Sequence, residues 1–129
     1  MRLLVDTHCW LWMHVDPDRF SAETLGLLED ADNELLLSAA SAWEIAIKYA
    51  LGRLPLPACP ERYVPSRMKS SGTTGLPVEH VHALRVAELP HHHRDPFDRL
   101  LVAQAQIEDI AILTADPQFG LYDVELRRP

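Results

Sequence analysis

Short apolar runs alternate with longer segments of helical pattern along this chain. Leu3 to Val5, Leu35 to Leu37 and Ile110 to Leu113 are continuously apolar, as expected of strands that are buried on both faces. Such strands belong to parallel sheets that are covered by helices. The pattern therefore predicts an α/β fold, in which ligands bind beyond the carboxyl ends of strands, at the point where the strand order reverses.

Two helices are predicted between the first runs and after the second. Ser21 is a favoured N-cap for a helix that extends to about Ala31. A further helix is predicted from about residue 39 to 51, and either Ser38 or Ser41 can cap it.

The segment between this helix and residue 90 is harder to interpret. Proline and glycine interrupt the pattern from residue 54 to 75, and Pro65 is expected to kink any helix drawn from 60 to 70. Residues 76–78 are predicted to form a short strand and residues 79–88 a helix.

The clearest start signal belongs to the helix after Asp95. Aspartate is a favoured N-cap and proline, here Pro96, is favoured at the first helical position. The helix is predicted to extend to about Glu108 and is apolar around most of its circumference, so we expect it to pack centrally against the sheet. Asp98 then lies in the first turn, beside the core.

Composition and charge narrow the possibilities. The chain has 129 residues, of which 47% are hydrophobic and 24% charged, which is typical of one globular domain over residues 1–129. No secretory signal or apolar run of about 18 residues is visible, and Cys9 and Cys59 match no metal-ligand spacing, so a reducing cytoplasm is expected and no membrane. A net charge of -7 argues against a general nucleic-acid coat protein.

Four acidic residues stand where predicted elements begin or end. They are Asp6, Glu44, Asp98 and Asp116. If the first strand and the strand at 110–113 are neighbours across the reversal of strand order, these carboxylates face one crevice. They would repel one another unless cations or protons intervened, and Mg²⁺ prefers such oxygen ligands. The sequence therefore predicts a metal-dependent nuclease site.

At these residues the chain resembles the PIN-domain nucleases, and within them the toxin ribonucleases of VapBC-type toxin-antitoxin pairs. The matching segments, which span nearly the whole chain, are Leu3-Leu4-Val5-Asp6-Thr7-His8, Ser38 to Lys48, His93 to Ala105, and Leu113-Thr114-Ala115-Asp116. The resemblance implies a three-layer PIN-like domain with a central parallel sheet ordered 3-2-1-4-5. It also implies homodimers that a cognate antitoxin holds inactive.

The resemblance further implies roles for individual residues. Asp6, Glu44, Asp98 and Asp116 would form an acidic quartet around Mg²⁺ or Mn²⁺, with Thr7 and Thr114 as supporting hydroxyls and Asp95 as an additional carboxylate of open role. A metal bridged by Asp6 and Asp98 would polarise a phosphodiester oxygen and activate a water that attacks phosphorus. The expected products are a 5′-phosphate and a 3′-hydroxyl. RNA is the expected substrate, although DNA cleavage stays open.

The acidic residues also have purely structural interpretations. Asp95 and Asp116 can each cap a helix, and Glu44 can close a capping box with Ser41. Taken singly, these interpretations are about as plausible as a functional role. The presence of the whole quartet, Asp6, Glu44, Asp98 and Asp116, at the spacing of the family favours a functional role.

The histidines and tryptophans are weaker candidates. His91, His92 and His93 resemble a zinc site, but successive side chains diverge, so a solvated loop is favoured. The three tryptophans Trp10, Trp12 and Trp43 are expected in the core or at a dimer interface rather than as platforms for base stacking.

A basic stretch follows Glu44 in this otherwise acidic chain. Between residues 45 and 78 the only acidic residue is Glu61. The candidates for RNA contact there are Arg53, Arg62, Arg67 and Lys69. Such a stretch can guide a phosphate backbone, dock an acidic antitoxin, or be a solvated surface, and the sequence leaves these three open.

Two rival classes of function remain. Phosphoryl-transfer proteins of the receiver or haloacid-dehalogenase kind also place aspartate after the first strand. The latter require a second aspartate at the position of His8, and the former require a lysine near the later strand ends, whereas no lysine follows Lys69. The stronger rival is a catalytically inactive PIN-like domain that only binds RNA or protein.

Overall fold

The computed structural model describes all of residues 1–129 and contains one five-stranded sheet. The strands are β1 (Arg2–Val5), β2 (Glu34–Ser38), β3 (Thr73–Leu76), β4 (Ala111–Leu113) and β5 (Leu126–Arg127). All neighbouring pairs are parallel, and the order is β3-β2-β1-β4-β5. The predicted α/β class and the strand order 3-2-1-4-5 are confirmed.

Six α-helices accompany the sheet. They are α1 (Thr7–Val15), α2 (Ala22–Glu29), α3 (Ala39–Ala50), α4 (Pro60–Ser71), α5 (His80–Arg85) and α6 (Pro96–Glu108). Short 3₁₀ turns occupy Pro17–Arg19, Val86–Glu88 and Pro117–Leu121. None of the helices combines the length and the apolarity that crossing a lipid bilayer requires.

The sheet is buried on both faces, which explains the continuously apolar strands. Because successive side chains of a strand point to opposite faces, Leu3 and Val5 pack with Trp10 of α1 and Val64 of α4, whereas Leu4 packs with residues of α6 on the other side. The result is a three-layer arrangement of helices, sheet and helices.

The predicted N-caps are confirmed at three helices. The Ser21 hydroxyl accepts a hydrogen bond from the main-chain N–H of Thr24 at 3.2 Å, and the Asp95 carboxylate accepts one from Phe97 at 2.8 Å. At α3 the cap is Ser38, whose hydroxyl accepts from the N–H of Ala40. The capping box proposed for Ser41 and Glu44 does not form, because Ser41 lies inside α3.

The segment around Pro65 forms a helix, and the kink expected at Pro65 stays a prediction. Helix α4 runs continuously from Pro60 to Ser71 with Pro65 inside it. Proline removes one helical hydrogen bond, to the carbonyl four residues earlier, and that residue, Glu61, is exposed, so water can satisfy the carbonyl. Buried Tyr63 and Val64 hold the helix on the core.

The third strand is also misplaced by the sequence pattern. It covers Thr73–Leu76 instead of the predicted 76–78, and pairs in register with β2. Its sequence, two threonines and a glycine, has no apolar run because this strand lies at the edge of the sheet and its middle residues are exposed.

Helix α1 has no counterpart among the predicted elements. Its sequence, Thr-His-Cys-Trp-Leu-Trp-Met-His-Val, has little helical periodicity because apolar residues occupy most of its circumference. Cys9 and Trp10 are fully buried, and tertiary packing thus stabilises a helix that local signals do not indicate. The helix matters for function, since Asp6 is its N-cap.

Candidate functional site

The reversal of strand order lies between β1 and β4. These strands are parallel neighbours, and the main-chain N–H of Asp6, just after β1, donates to the carbonyl of Leu113 at 3.0 Å. Thr114 and Asp116 follow β4 directly. The carboxyl ends of the two strands therefore open into one crevice, where ligands bind in sheets of this type.

A cavity of about 300 Å³ occupies this crevice. It is lined by Asp6, His8, Trp12, Asp95, Asp98, Ala115, Asp116 and Phe119. Three of the four predicted ligands thus line one cavity together with Asp95, while Glu44 lies outside its lining. The structure brings carboxylates from β1, β4 and α6 to one place.

Asp6 is a buried, hydrogen-bonded residue of the cavity lining. Its carboxylate accepts a hydrogen bond from the N–H of Cys9 at 2.8 Å, and the residue is 6% exposed. Burial raises the pKa of Asp6, and hydrogen bonds from Thr114 and Cys9 lower it in part. The Thr114 hydroxyl is thus hydrogen-bonded to the Asp6 carboxyl, whereas the Thr7 hydroxyl donates to Ser41 at 2.9 Å.

The surroundings of Asp98 strongly raise its pKa. Burial raises the pKa of Asp98 to about 7, and the neighbouring carboxylates Asp95, Glu44, Asp116 and Asp6 add to the shift in that order. Four negative groups thus act on one carboxyl that the surroundings already penalise for being charged. In the metal-free protein, the site retains a proton on Asp98 up to about neutral pH.

Glu44 is compensated within the chain. It lies on α3, is 3% exposed, and its carboxylate contacts the Lys48 ammonium at 2.6 Å, one helical turn away. This pair was not among the predictions, although the i, i+4 spacing of the glutamate and the lysine is visible in the sequence.

Asp116 and Asp95 both combine a capping contact with a place at the cavity. Asp116 accepts a hydrogen bond from the N–H of Gln118 at 2.9 Å, and its own N–H donates to the Thr114 hydroxyl. Asp95 caps α6. The structural and functional interpretations of these two residues are therefore compatible.

The expectation of a solvated histidine loop is wrong for His93. His91 and His92 are exposed, but His93 is 8% exposed. Its Nε2 lies 3.1 Å from the Asp116 carboxylate and 4.0 Å from that of Asp98. In the sequence, only its position just before the helix start at Asp95-Pro96 distinguishes His93 from His91 and His92. That position is too weak an indication to predict that His93 alone is buried.

The donor set suits a divalent cation. His93, Asp98 and Asp116 each offer one ligand atom, and these atoms lie within 4.8 Å of one another. Carboxylate oxygens are the ligands that Mg²⁺ and Mn²⁺ prefer, and a cation would remove the mutual repulsion that raises the pKa of Asp98. The residues present therefore fit such an ion.

The remaining candidates are scattered. Trp10 is fully buried in the core, as expected, and Trp43 is 61% exposed, with its ring centroid 5.2 Å from that of Phe97. Trp12 is half-buried and borders the acidic cavity. The side chains of the basic stretch, Arg53, Arg62, Arg67 and Lys69, are all exposed, after α3 and on α4.

Comparison with known proteins identifies the architecture. The chain is 55% identical over 60 residues to "Ribonuclease VapC16" of Mycobacterium tuberculosis, a match that covers 46% of this chain and 43% of that protein. The match therefore spans less than half of that relative's length.

Solved structures resemble the whole chain. In the crystal structure of VapBC2 from Rickettsia felis, bound to a DNA fragment from its promoter, one chain aligns with a TM-score of 0.71 at 15% identity, covering 100% of this chain and 99% of that one. In FitAcB from Neisseria gonorrhoeae the values are 0.64 and 22%, with 96% and 95% covered. At such identities these likenesses establish the fold.

The family model of the PIN domain matches residues 3–125. That range contains Glu44 and the four aspartates that line the acidic cavity, Asp6, Asp95, Asp98 and Asp116, and it extends from β1 to the residue before β5. The chain belongs to the PIN-domain family.

Proposed function

We propose that this protein is a metal-dependent endoribonuclease that hydrolyses RNA phosphodiester bonds, with residues 1–129 forming a single PIN domain. The observation that supports the proposal most directly is the meeting of Asp6, Asp98 and Asp116 at the reversal of strand order, in one cavity. The pKa of about 7 for Asp98 adds that the cavity favours the arrival of positive charge.

The carboxylates of Asp6, Asp98 and Asp116 would hold Mg²⁺ or Mn²⁺. Such an ion supplies Lewis acidity toward a phosphodiester oxygen and lowers the pKa of a water that attacks phosphorus. Thr114 hydrogen-bonds the Asp6 carboxyl and so fixes its orientation.

Glu44 contributes differently in this proposal. Its carboxylate is paired with the Lys48 ammonium. Glu44 therefore acts on Asp98 through its negative charge, and it becomes available to bind a water or a second ion only if Lys48 moves away. Asp95 adds negative charge next to Asp98 while it caps α6.

The substrate path is proposed to involve the basic stretch. The side chains of Arg53, Arg62, Arg67 and Lys69 are exposed, and positive charge can hold a phosphate backbone that the acidic cavity by itself repels.

A toxin role is supported by the likeness to the VapBC and FitAcB structures and by the partial match to a VapC ribonuclease. We propose that the protein is the toxin of a VapBC-type pair, acts in the cytoplasm as a homodimer, and is inhibited by a cognate antitoxin. The alternative is a PIN-like domain that binds RNA or protein without cleaving it, and the Glu44–Lys48 pair, which withholds one of the four carboxylates, is the observation that favours it.

The deciding experiment is cleavage of an end-labelled single-stranded RNA by the purified protein in Mg²⁺, in Mn²⁺ and in EDTA. We expect metal-dependent cleavage that leaves 5′-phosphate and 3′-hydroxyl ends. RNA binding without cleavage in either metal would favour the alternative, and cleavage that persists in EDTA would contradict the metal-dependent mechanism.

A further inference from the structure

His93 is buried against the acidic cavity, and the proposed chemistry leaves it without a task. We infer that His93 is a positioning residue, which uses its Nε2–H to orient the Asp116 carboxylate for cation binding. The inference rests on the proposed function, since it concerns the same metal site. It extends that site by a residue that carries no negative charge.

Tyr122 determines which nitrogen of His93 carries the proton. The Tyr122 hydroxyl oxygen accepts a hydrogen bond from the main-chain N–H of His93 at 2.9 Å and lies 3.2 Å from its Nδ1. Tyr122 is 5% exposed, so its own O–H needs an acceptor. Nδ1 provides that acceptor, and the neutral ring then carries its hydrogen on Nε2.

This tautomer makes the Asp116 contact a donated hydrogen bond. Nε2 lies 3.1 Å from the Oδ2 atom of Asp116, a distance at which an N–H donates well to a carboxylate. The opposite tautomer would place a nitrogen lone pair against a negative oxygen and leave the Tyr122 O–H unpaired. The chain of hydrogen bonds therefore runs from Tyr122 through His93 to Asp116.

Both oxygens of Asp116 are then held in place. Oδ1 accepts from the N–H of Gln118 at 2.9 Å, and Oδ2 accepts from His93. Each oxygen keeps a free lone pair, and the plane of the carboxylate cannot rotate without breaking one of the two bonds. A carboxylate fixed in this way pays less conformational entropy when it binds an ion.

The segment that carries His93 is itself anchored to the helix that carries Asp98. Arg99, the next residue along α6, is 8% exposed and donates to the carbonyls of Pro90 at 2.8 Å and Val86 at 3.0 Å. These charged hydrogen bonds fix the chain just before His93. The position of the imidazole relative to Asp98 is thus set by two connected anchors, Arg99 and Tyr122.

The alternative is that Nε2 binds the cation directly. In that case the nitrogen must lose its hydrogen, and Tyr122 must accept from Nδ1. The two roles predict different results for glutamine at this position, because a glutamine amide can donate a hydrogen bond to Asp116 but is a poor substitute for an imidazole ligand.

The test is Mn²⁺ affinity measured by calorimetry on the full chain without RNA. We expect His93→Ala to weaken Mn²⁺ binding by about 10–100-fold, as is usual for residues that support a ligand, and His93→Gln to restore most of it. His91→Gln, an exposed neighbour, is the matched control and should change nothing. Tyr122→Phe, which removes the O–H that sets the tautomer, should weaken binding less than His93→Ala.

A double-mutant cycle separates positioning from a general structural effect. In an Asp116→Asn background, His93→Ala should weaken Mn²⁺ binding by no more than about 2-fold, because residues that act as a unit are not additive. A full additional loss would overturn the inference.

The remaining outcomes are equally decisive. If His93→Gln binds as weakly as His93→Ala while keeping its fold, the imidazole is a direct ligand and the positioning role is wrong. If neither His93 variant nor Tyr122→Phe changes the affinity, His93 has no role at the site. A wild-type protein that cleaves RNA and binds Mn²⁺ distinguishes these failures from failure of the proposed function, whereas absence of Mn²⁺ binding by the wild type would overturn both.

Discussion

The acidic cavity and the basic stretch carry opposite charges and are constructed in opposite ways. The carboxylates of Asp6, Asp95 and Asp116 each accept a main-chain N–H at a helix or turn start. The basic side chains at 53–69 are long and exposed, and the Arg67 guanidinium only lies over the Tyr63 ring, 5.8 Å from its centroid.

This difference matches the ligands proposed for the two regions. A small cation needs several oxygens at set positions, and main-chain hydrogen bonds supply that rigidity. A single-stranded polyanion has no fixed shape, so mobile charges suit it. Lys48 links the two regions. It belongs to the basic stretch in the sequence, but its ammonium pairs with Glu44 beside the acidic cavity.

The largest effect is expected from removing a carboxylate of the cavity. Asp98→Asn or Asp6→Asn should reduce RNA cleavage about 1000-fold or more, because metal-assisted charge stabilisation contributes several kcal/mol to the barrier. RNA binding should persist, since the basic stretch is intact. Cleavage and thermal melting are measured on the same samples, and retained metal-dependent cleavage in both variants would contradict the proposed site.

The free energy of unfolding should depend on pH through Asp98 of the acidic cavity. The pKa of Asp98 is raised from 3.8 to about 7, so its contribution to stability is fully present below pH 3.8 and is lost as the pH rises to about 7. The difference between these pKa values sets an upper limit of about 4 kcal/mol, which partial solvation of the 26% exposed side chain reduces.

Asparagine cannot ionise, so Asp98→Asn should stabilise the metal-free protein increasingly from pH 4 to 7 and by a constant amount above. Urea denaturation in EDTA at several pH values measures this. An equal difference at pH 4 and pH 8 would show that the effect is not electrostatic.

Lys48→Met tests the residue that links the two regions. It leaves the Glu44 carboxylate buried without its cation, so the free energy of unfolding without metal should fall by roughly 1–3 kcal/mol. Mn²⁺ should then raise the melting temperature more than it does in the wild type, because the ion also compensates Glu44. Lys69→Met, on the exposed side of α4, is the control, and identical behaviour of the two variants would refute the role given to Lys48.

The smallest effect concerns the basic stretch. In an Asp98→Asn background, Arg62→Gln with Lys69→Gln should weaken RNA binding across unrelated sequences and reduce the slope of log affinity against log salt by about 0.7 for each lost phosphate contact. Metal affinity should not change. Arg2→Gln with Arg128→Gln removes equal charge elsewhere and should leave the slope unaltered.

An unchanged slope in the Arg62 and Lys69 variant would exclude these residues from the substrate path. Weakened binding to the antitoxin in the same variant would instead assign them to that partner.

Local signals were sufficient for part of the fold and part of the site. The central strands are recognisable because burial on both faces leaves only apolar residues. Ser21 and Asp95 mark helix starts because a cap is a short-range contact, whereas the sequence left Ser38 and Ser41 open as caps of α3. The edge strand β3 and helix α1 have no such signature, since pairing with β2 and packing of Trp10 stabilise them from outside.

The acidic residues show the same division. Their positions at element ends are local facts, and the strand reversal that unites Asp6 with Asp116 follows from the apolar pattern together with the family resemblance. Glu44 was expected to act alongside the others. Its i, i+4 spacing from Lys48 is visible in the sequence, but only the structure shows that the two side chains are in contact.

By itself the sequence determined the α/β class, the three main helix starts and the identity of the acidic residues, because each depends on burial pattern or on contacts within one helical turn. Only the tertiary structure decided that Lys48 neutralises Glu44, that Asp98 bears the combined field of four carboxylates, and that His93 alone among three adjacent histidines turns inward. The first depends on how two side chains one helical turn apart are oriented, and the other two depend on residues far apart in the chain, as His93 and Asp116 are. Charge and hydrogen bonding act through space rather than along the sequence.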